Sequence, residues 1–399
     1  MAPAPGGTRG TQARVTQERM TNHNTPRGRW WLVLAGLATL GLAACSPNNG
    51  QNSVSPHGTN AHKIDNLILP IWGIAIVIGF IVVGGVVFVA VKYRQRPGNE
   101  HPKQIRGNIP IEIAWTMIPA VILAVIAIPT VSLIFQIDST PSNPMNVTVI
   151  GKQWWWQFEY PGGAAQKPVE VADELHIPTG RNVDLTLKAC DPSLPYGFNN
   201  GPGCNVIHSF WVPELAGKRD VVPGRDNHLT LRSDSPGTFL GQCAQYCGLS
   251  HANMRFRVIV QTPSDFDTWL ASQRHAPAVT LADSGSAGNL FSKTFQCTNC
   301  HVTENSSVST YGPNLTHLGS RSTFASGYFA LTRPQLIKWI LNAPSLIPME
   351  SKDCRKGVPG TPGVTCVGMP SFTTNTPHGM PVMTEQQAGT LADYLLSLK

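Results

Sequence analysis

Two long stretches almost free of charge decide what this chain can fold into. Leu67–Val91 contains no Asp, Glu, Lys or Arg, and Ile109–Ile137 carries a single charged residue, Glu112. At ~1.5 Å per helical residue each run is longer than a ~30 Å hydrocarbon core, which predicts two membrane-spanning helices rather than a buried helix pair. Between them, KYRQRPGNEHPKQIR holds Lys92, Arg94, Arg96, Lys103 and Arg106. Positive loops stay in the cytoplasm, so the pattern predicts a hairpin, residues 67–137, with everything after Gln136 exported. Glu112 is expensive inside a span and is therefore a candidate functional residue.

The N-terminus reads as a processed leader. Arg27 and Arg29 precede the apolar run WWLVLAGLATLGLAAC, which is short for a span. Leu42-Ala43-Ala44 before Cys45 resembles the bacterial lipobox, whose cysteine is lipidated after cleavage. Residues 1–44 are thus expected to be a lipoprotein-type signal peptide, and 45–66 a short exported segment; a third spanning helix is the alternative. Much of the net charge of +7 lies in the first hundred residues, and no aromatic-basic interleaving accompanies it, which excludes a nucleic-acid partner. Outside the cytoplasm each of the nine cysteines must be a bridge, a ligand or an attachment point.

A chain of 399 residues predicts two or three modules. NVTVIGKQWWWQFEY, NVDLTLKA, HLTLRS, GTFLGQ and RFRVIV are short β-rich runs separated by turn residues, which predicts an all-β sandwich or barrel over 138–272. SDFDTWLASQ predicts a closing helix with Ser264 as its N-cap, and 273–287 is small and polar, a linker by composition. From Gly288 the signals are helical. GNLFSKTFQCTNCH, RPQLIKWILNA and TEQQAGTLADYLLSLK predict a small α domain over 288–399, the last helix with a Thr384–Gln387 capping box and an apolar face of Ala388, Leu391, Ala392 and Leu395.

The stretch GQCAQYCGLSHANM collects Cys243, Cys247, His251 and Met254 in one loop. Tetrahedral zinc sites usually use C-x-x-C pairs and no thioether, whereas thiolate, imidazole and a weak thioether together are a copper signature. A disulfide between the two cysteines would leave His251 and Met254 without purpose at their spacing. Upstream, His208 in NVIHSFWVPEL can be brought beside the loop by a neighbouring strand.

These residues resemble the CuA domain of cytochrome c oxidase subunit II, and IEIAWTMIP resembles the start of that family's second helix. The resemblance runs from about Leu67 to Gln273. It implies a cupredoxin-like sandwich with dinuclear copper bridged by Cys243 and Cys247, each copper bound by one of His208 and His251, with Met254 and the backbone carbonyl of Gln245 completing the set. The family usually has Glu where Gln245 stands; any residue supplies the carbonyl, but a magnesium ion at the subunit I interface loses that side chain. By the same resemblance Trp154 is where electrons enter, Lys218 and Asp220 face subunit I, and Glu112 lies at the mouth of a proton path into subunit I.

Cys297-Thr-Asn-Cys300-His301 is the C-x-x-C-H pattern of covalent heme c attachment, with His301 as proximal ligand. A thioredoxin-like dithiol would need a βαβ context that is missing. GPNLTHLGSR and LADYLLSLK resemble the class I cytochrome c domain fused to some bacterial oxidase subunits. Such domains use a methionine as distal ligand, commonly in a Met-Pro pair before the last helix; Met369 in GMPSF fits that phrase better than Met380 in HGMPVM, while Met349 and Met383 read as packing. The remaining pairs, Cys190–Cys204 and Cys354–Cys366, bracket Gly/Pro-rich insertions. Each is expected to form a disulfide closing a loop of about 15 residues, worth roughly 3 kcal/mol in the chain-entropy model.

The resemblance implies a multi-domain membrane protein of the bacterial inner membrane, with both domains on the periplasmic face. It would be subunit II of a proton-pumping oxidase, partnered by subunits I and III and membrane lipid. Electrons from a c-type cytochrome or an upstream bc-type complex would reach heme c, then CuA, then subunit I, where oxygen is reduced to water. A quinol oxidase subunit would lack the copper ligands, a copper chaperone would have a thioredoxin-like fold, and nitrous oxide reductase would need a propeller. A membrane-anchored CuA/heme c carrier serving a different reductase has the same sequence features.

Overall fold

The computed structural model describes residues 36, 39, 50–95, 106–163, 168–189, 206–304, 311–349, 367–374, 376–377 and 379–399. Cys45 and the pairs Cys190–Cys204 and Cys354–Cys366 lie outside the described residues. Asn49–Lys399 form one compact unit.

The hairpin helices are α1, Thr59–Lys92, and α2, Ile109–Asp138, both long and apolar enough to cross a membrane. α1 begins before the expected Leu67, because its polar first turns dock on the sandwich instead of entering lipid. The amide of Asn60 donates to the Thr230 carbonyl at 3.1 Å, and the N–H of Ala61 to the Leu215 carbonyl at 3.2 Å. Gly58, just ahead of α1, lies so close to the Leu215 backbone that a side chain there would overlap it. α2 starts with Asn108 as its cap, accepting from the Ile111 N–H, and its last residue, Asp138, pairs with Arg219.

Ten strands build the sandwich: β1 Met145–Lys152, β2 Trp155–Tyr160, β3 Val169–Ala172, β4 Glu174–Pro178, β5 Val183–Lys188, β6 His208–Trp211, β7 Arg219–Val221, β8 Asn227–Leu231, β9 Gly237–Cys243 and β10 Arg255–Gln261. One sheet has the order β3-β2-β1-β5-β8 and the other β4-β10-β9-β6-β7; β1–β5 and β4–β10 are the parallel pairs. The run from Asn146 to Tyr160 is two antiparallel strands turning at Gln153–Trp154, with Lys152 opposite Trp155. Buried aromatic rings fill the space between the sheets. Phe210 and Phe256 stack at 4.4 Å, and Trp156 meets Phe210 edge-on at 5.4 Å, contacts worth about 0.5–1.5 kcal/mol each beyond area burial.

Helix α3, Pro263–Arg274, closes the sandwich, its Trp269 stacked on His176 of β4 at 3.8 Å. The cap is Thr262, whose hydroxyl accepts from Asp265 N–H, rather than Ser264; Pro263, with its fixed φ and no N–H, suits the first helical position. Residues 275–285 form no helix or strand, but Val279 and Leu281 pack against the helical module.

In that module the expected helix around GNLFSKTFQCTNCH is broken. α4, Ser286–Asn289, passes into a π-type turn, Leu290–Thr294; Gln296 then takes a left-handed conformation (φ 49°) ahead of a 3-10 turn, Cys297–Asn299. α5, Arg333–Leu346, is kinked at Asn342, two residues before Pro344, which cannot donate a helical N–H. α6, Glu385–Ser397, has the expected capping box, with Ala388, Leu391, Ala392 and Leu395 buried. A small antiparallel hairpin interrupts the helices: β11, Thr323–Phe324, and β12, Phe329–Ala330, joined through Ala325, Ser326 and Gly327, all at positive φ.

Candidate metal centre

The candidate copper ligands gather at the neck of one hairpin. β9 ends in Cys243 and β10 begins after Met254; the N–H of Cys243 donates to the Met254 carbonyl at 2.9 Å, closing the loop between them. His208 opens β6, the next strand of the same sheet, and Ala244 N–H donates to the Ser209 carbonyl at 2.9 Å, tying loop to strand. Gly151 of β1 leaves room for the His208 imidazole, which a side chain there would crowd. Gly248 turns the loop with φ 113°, a conformation that favours glycine.

The donor atoms converge. The Cys243 and Cys247 sulfurs are 3.8 Å apart and unbonded. Cys243 Sγ is 3.8 Å from His208 Nδ1 and 3.2 Å from the Gln245 carbonyl oxygen. Cys247 Sγ is 3.5 Å from His251 Nδ1 and 3.7 Å from Met254 Sδ. The ligand atoms of His208, Cys243 and Cys247 all lie within 4.8 Å of one another, and all three residues are buried. His208 is not a satisfied core histidine: Nδ1 lies against the Cys243 sulfur, and Nε2 is buried without a hydrogen-bond partner among the described residues. The contact between the two sulfurs lowers Cys243 and raises Cys247, favouring ionisation of one thiol of the pair over the other. Soft sulfur, two imidazole nitrogens and a thioether around one dry point suit a copper pair.

The loop is also held from behind. Trp154 Nε1–H donates to the Cys247 carbonyl at 3.1 Å, and the Gln153 amide to the same oxygen at 2.6 Å. Trp154 is buried at the β1–β2 turn, Trp155 lies under the Lys152 ammonium at 4.9 Å, and Trp156 is a core ring. Gln153 was not a candidate from sequence, since a glutamine in a strand run carries no signal of its own.

A second cluster surrounds a cavity of about 240 Å3. Cys297, Cys300 and His301 line it, as do Met349, Met369, Met380 and Met383, and on the sandwich side Trp154 and Asp173. His301 Nδ1 lies 2.8 Å from the Pro313 carbonyl, which makes Nδ1 the N–H and leaves Nε2 the lone pair; burial keeps the ring neutral. Gly312 packs against that ring where a side chain could not. Burial raises the thiol of Cys297 to about 12 and that of Cys300 to about 11. Met349 is more than filling, since its Sδ accepts the Met369 N–H at 3.2 Å. Two cysteines, a neutral imidazole and several thioethers around an apolar cavity fit a covalently held heme. Glu112 stands apart, in the first turn of α2 at the hairpin end opposite the sandwich.

Residues 202–262 match the family profile "Cytochrome C oxidase subunit II, periplasmic domain", and residues 46–133 match the transmembrane domain of the same subunit. Cytochrome c oxidase subunit 2 of Alkalihalophilus pseudofirmus is 36% identical over 320 residues, 77% of this chain and 86% of that protein. The subunit from Bacillus sp. strain PS3 is 31% identical over 331 residues, covering 77% of this chain and 80% of that one. The crystal structure of the periplasmic domain of the Bradyrhizobium japonicum subunit II aligns with 34% of this chain and 96% of that domain at 25% identity, with a TM-score of 0.28. A membrane hairpin joined to a β-sandwich with a Cys/His cluster, together with these relatives, places the chain in the family of cytochrome c oxidase subunit 2.

Proposed function

We propose that this chain is the electron-input subunit of its oxidase. It holds a dinuclear copper centre through His208, Cys243, Cys247, His251, Met254 and the Gln245 carbonyl, and a heme c through Cys297, Cys300 and His301, with Met369 as distal ligand. When bound, these groups supply one-electron transfer; oxygen reduction and proton pumping belong to subunit I. The observation that carries this reading is the convergence of sulfur, imidazole and thioether at the β9–β10 neck, with distances of 3.5–3.8 Å between neighbouring donors.

The chain's own residues prepare the site. One sheet fixes His208 and Cys243 at strand ends and its β9–β10 loop carries the other ligands, so they move little as charge changes, and burial of both cysteines limits access of water. Gln153 and Trp154 orient the Cys247 peptide, and the Pro313 carbonyl sets the His301 tautomer; such outer contacts tune a metal site. Trp154 reaches from the cavity of the helical module to the Cys247 carbonyl, which suits it to the passage of electrons between the modules. The basic inter-helix loop favours a periplasmic position for both modules, Cys45 would add a lipid anchor, and Glu112 would serve as a proton-path entrance. The two disulfides would brace the insertions ahead of His208 and Met369.

Metal analysis of the full chain purified in detergent tests the proposal. Copper in pairs, one heme iron per chain, a near-infrared band of mixed-valence copper and a c-type heme spectrum are expected. Mononuclear copper without that band overturns the copper assignment, and absence of covalent heme overturns the role of Cys297 and Cys300.

A further inference from the structure

We infer that Asp173 is the latch that holds the helical module over Trp154, and is thereby a positioning residue for electron passage between the two modules. Asp173 sits at the β3–β4 turn with φ 61° and is only 8% exposed. Its two carboxylate oxygens are divided between the modules. Oδ1 accepts from the N–H of Trp156 in β2 at 2.9 Å, and Oδ2 accepts from the N–H of Ser326 in the β11–β12 turn at 3.0 Å. Ser326 reciprocates, its hydroxyl donating to the Trp154 carbonyl at 3.0 Å. The backbone of Asp173 is itself fixed to the sandwich, its N–H donating to the Trp156 carbonyl and its carbonyl accepting from Arg257, both at 2.9 Å.

The next residue repeats the device, the Glu174 carboxylate accepting from the Thr323 hydroxyl at 3.1 Å. The buried guanidinium of Arg321 lies near both carboxylates and donates to the Asn314 carbonyl at 2.8 Å. Trp154, Asp173, Arg321 and His301 line the same cavity, so the latch closes beside the surface where the modules meet.

A carboxylate is needed because both of its partners are backbone N–H donors. An asparagine offers one acceptor oxygen and would turn its own N–H2 against the second donor, with almost no change of shape. Asp173→Asn is therefore the discriminating variant. Loss of this bond, which leaves the buried Ser326 N–H facing another donor, predicts a weakening of docking by roughly tenfold or more. The consequence for electron passage rests on the proposed heme and copper; the latch itself does not.

The test uses the full chain in detergent micelles, wild type and D173N. Amide hydrogen exchange reads the latch without any metal: residues 323–330 should exchange roughly tenfold faster or more in the variant, while strands β9 and β10 keep their protection. In the copper- and heme-loaded chain, reduction of copper by a small reductant that reaches the sandwich directly should be unchanged. Reduction arriving through the heme should slow by a similar factor. Unchanged exchange at 323–330 overturns the latch, and faster exchange with an unchanged heme-to-copper rate overturns its positioning role. A wild-type chain that binds no heme would instead refute the functional reading and leave the exchange result standing. Should D173N fail to fold, Ser326→Gly removes the hydroxyl bond to Trp154 at a positive-φ position glycine accepts; it should show the same split, and its absence overturns the proposal equally.

Discussion

The Cys247 carbonyl offers a quantitative test of how the metal loop is held. This oxygen, in a residue 2% exposed, accepts from both the Trp154 indole and the Gln153 amide. Trp154→Phe keeps an aromatic ring but removes one donor together with part of the indole's bulk; Gln153→Leu keeps the bulk and removes the other donor. Each single change leaves the carbonyl with a partner, so the hydrogen-bond part of each cost should be about 0.5–1.5 kcal/mol, with the smaller ring at 154 adding a packing cost that the double-mutant cycle cancels. The double variant strips the oxygen of both protein donors, adding the desolvation penalty of a buried carbonyl, about 1–3 kcal/mol. The pair should therefore be non-additive by about that amount in a double-mutant cycle. Denaturant unfolding of the metal-free chain in micelles, followed by circular dichroism, measures the three differences. The rate of copper loss to a chelator should rise most steeply in the double variant. A double variant whose cost equals the sum of the singles would refute the claim that these two side chains serve one oxygen.

Acid should weaken the seat of α3. Burial, with a smaller push from the charge of Arg321, holds His176 neutral and lowers its pKa from 6.5 to about 4, while its Nδ1 bonds Gln261 and its ring stacks on Trp269. Between those values the unfolded chain binds a proton that the native chain does not, so this contribution is full above pH 6.5 and falls by about 1.4 kcal/mol per pH unit on acidification. His176→Phe, which preserves the stack, should flatten the pH dependence of the melting temperature in that window; an unchanged slope would rule His176 out as its source. Gly241→Ala should drive a methyl into the Phe256 ring, which is pinned against Phe210 and Trp156, at a cost of about 1–3 kcal/mol from overpacking. A thermal melt of that variant matching wild type would show that the ring can yield.

The cluster of Cys243, Cys247, His251 and Met254 was legible because these residue types crowd into one short loop. His208 could be found only because that loop was already in view; by itself a histidine in HSFW looks like core. The capping box of α6 was legible for a local reason, its two partners being three residues apart. Asp173 and Ser326 carried no such signal. They are 153 positions apart, and the bond between them exists only because two modules meet. The helical turns ahead of the apolar span were hidden for a related reason: TNAHKIDN has no membrane pattern, and the sandwich beside it holds its first turn. The break before Cys297 follows from a left-handed Gln296, a conformation that composition does not announce.

The early start of α1 has a mechanical consequence. At ~1.5 Å per residue its 34 residues make a rod of about 51 Å, roughly 20 Å more than a ~30 Å hydrocarbon layer can swallow. Its top is bolted into the sandwich rather than tied by string, so the elevation and compass bearing of the copper loop above the lipid are machined into one helix. Lengthening that rod by a single residue between Gly58 and Leu67 would lift the loop by ~1.5 Å and swing it by ~100° relative to the membrane stem. Any protein that must meet the loop from within the bilayer would then find it facing the wrong way.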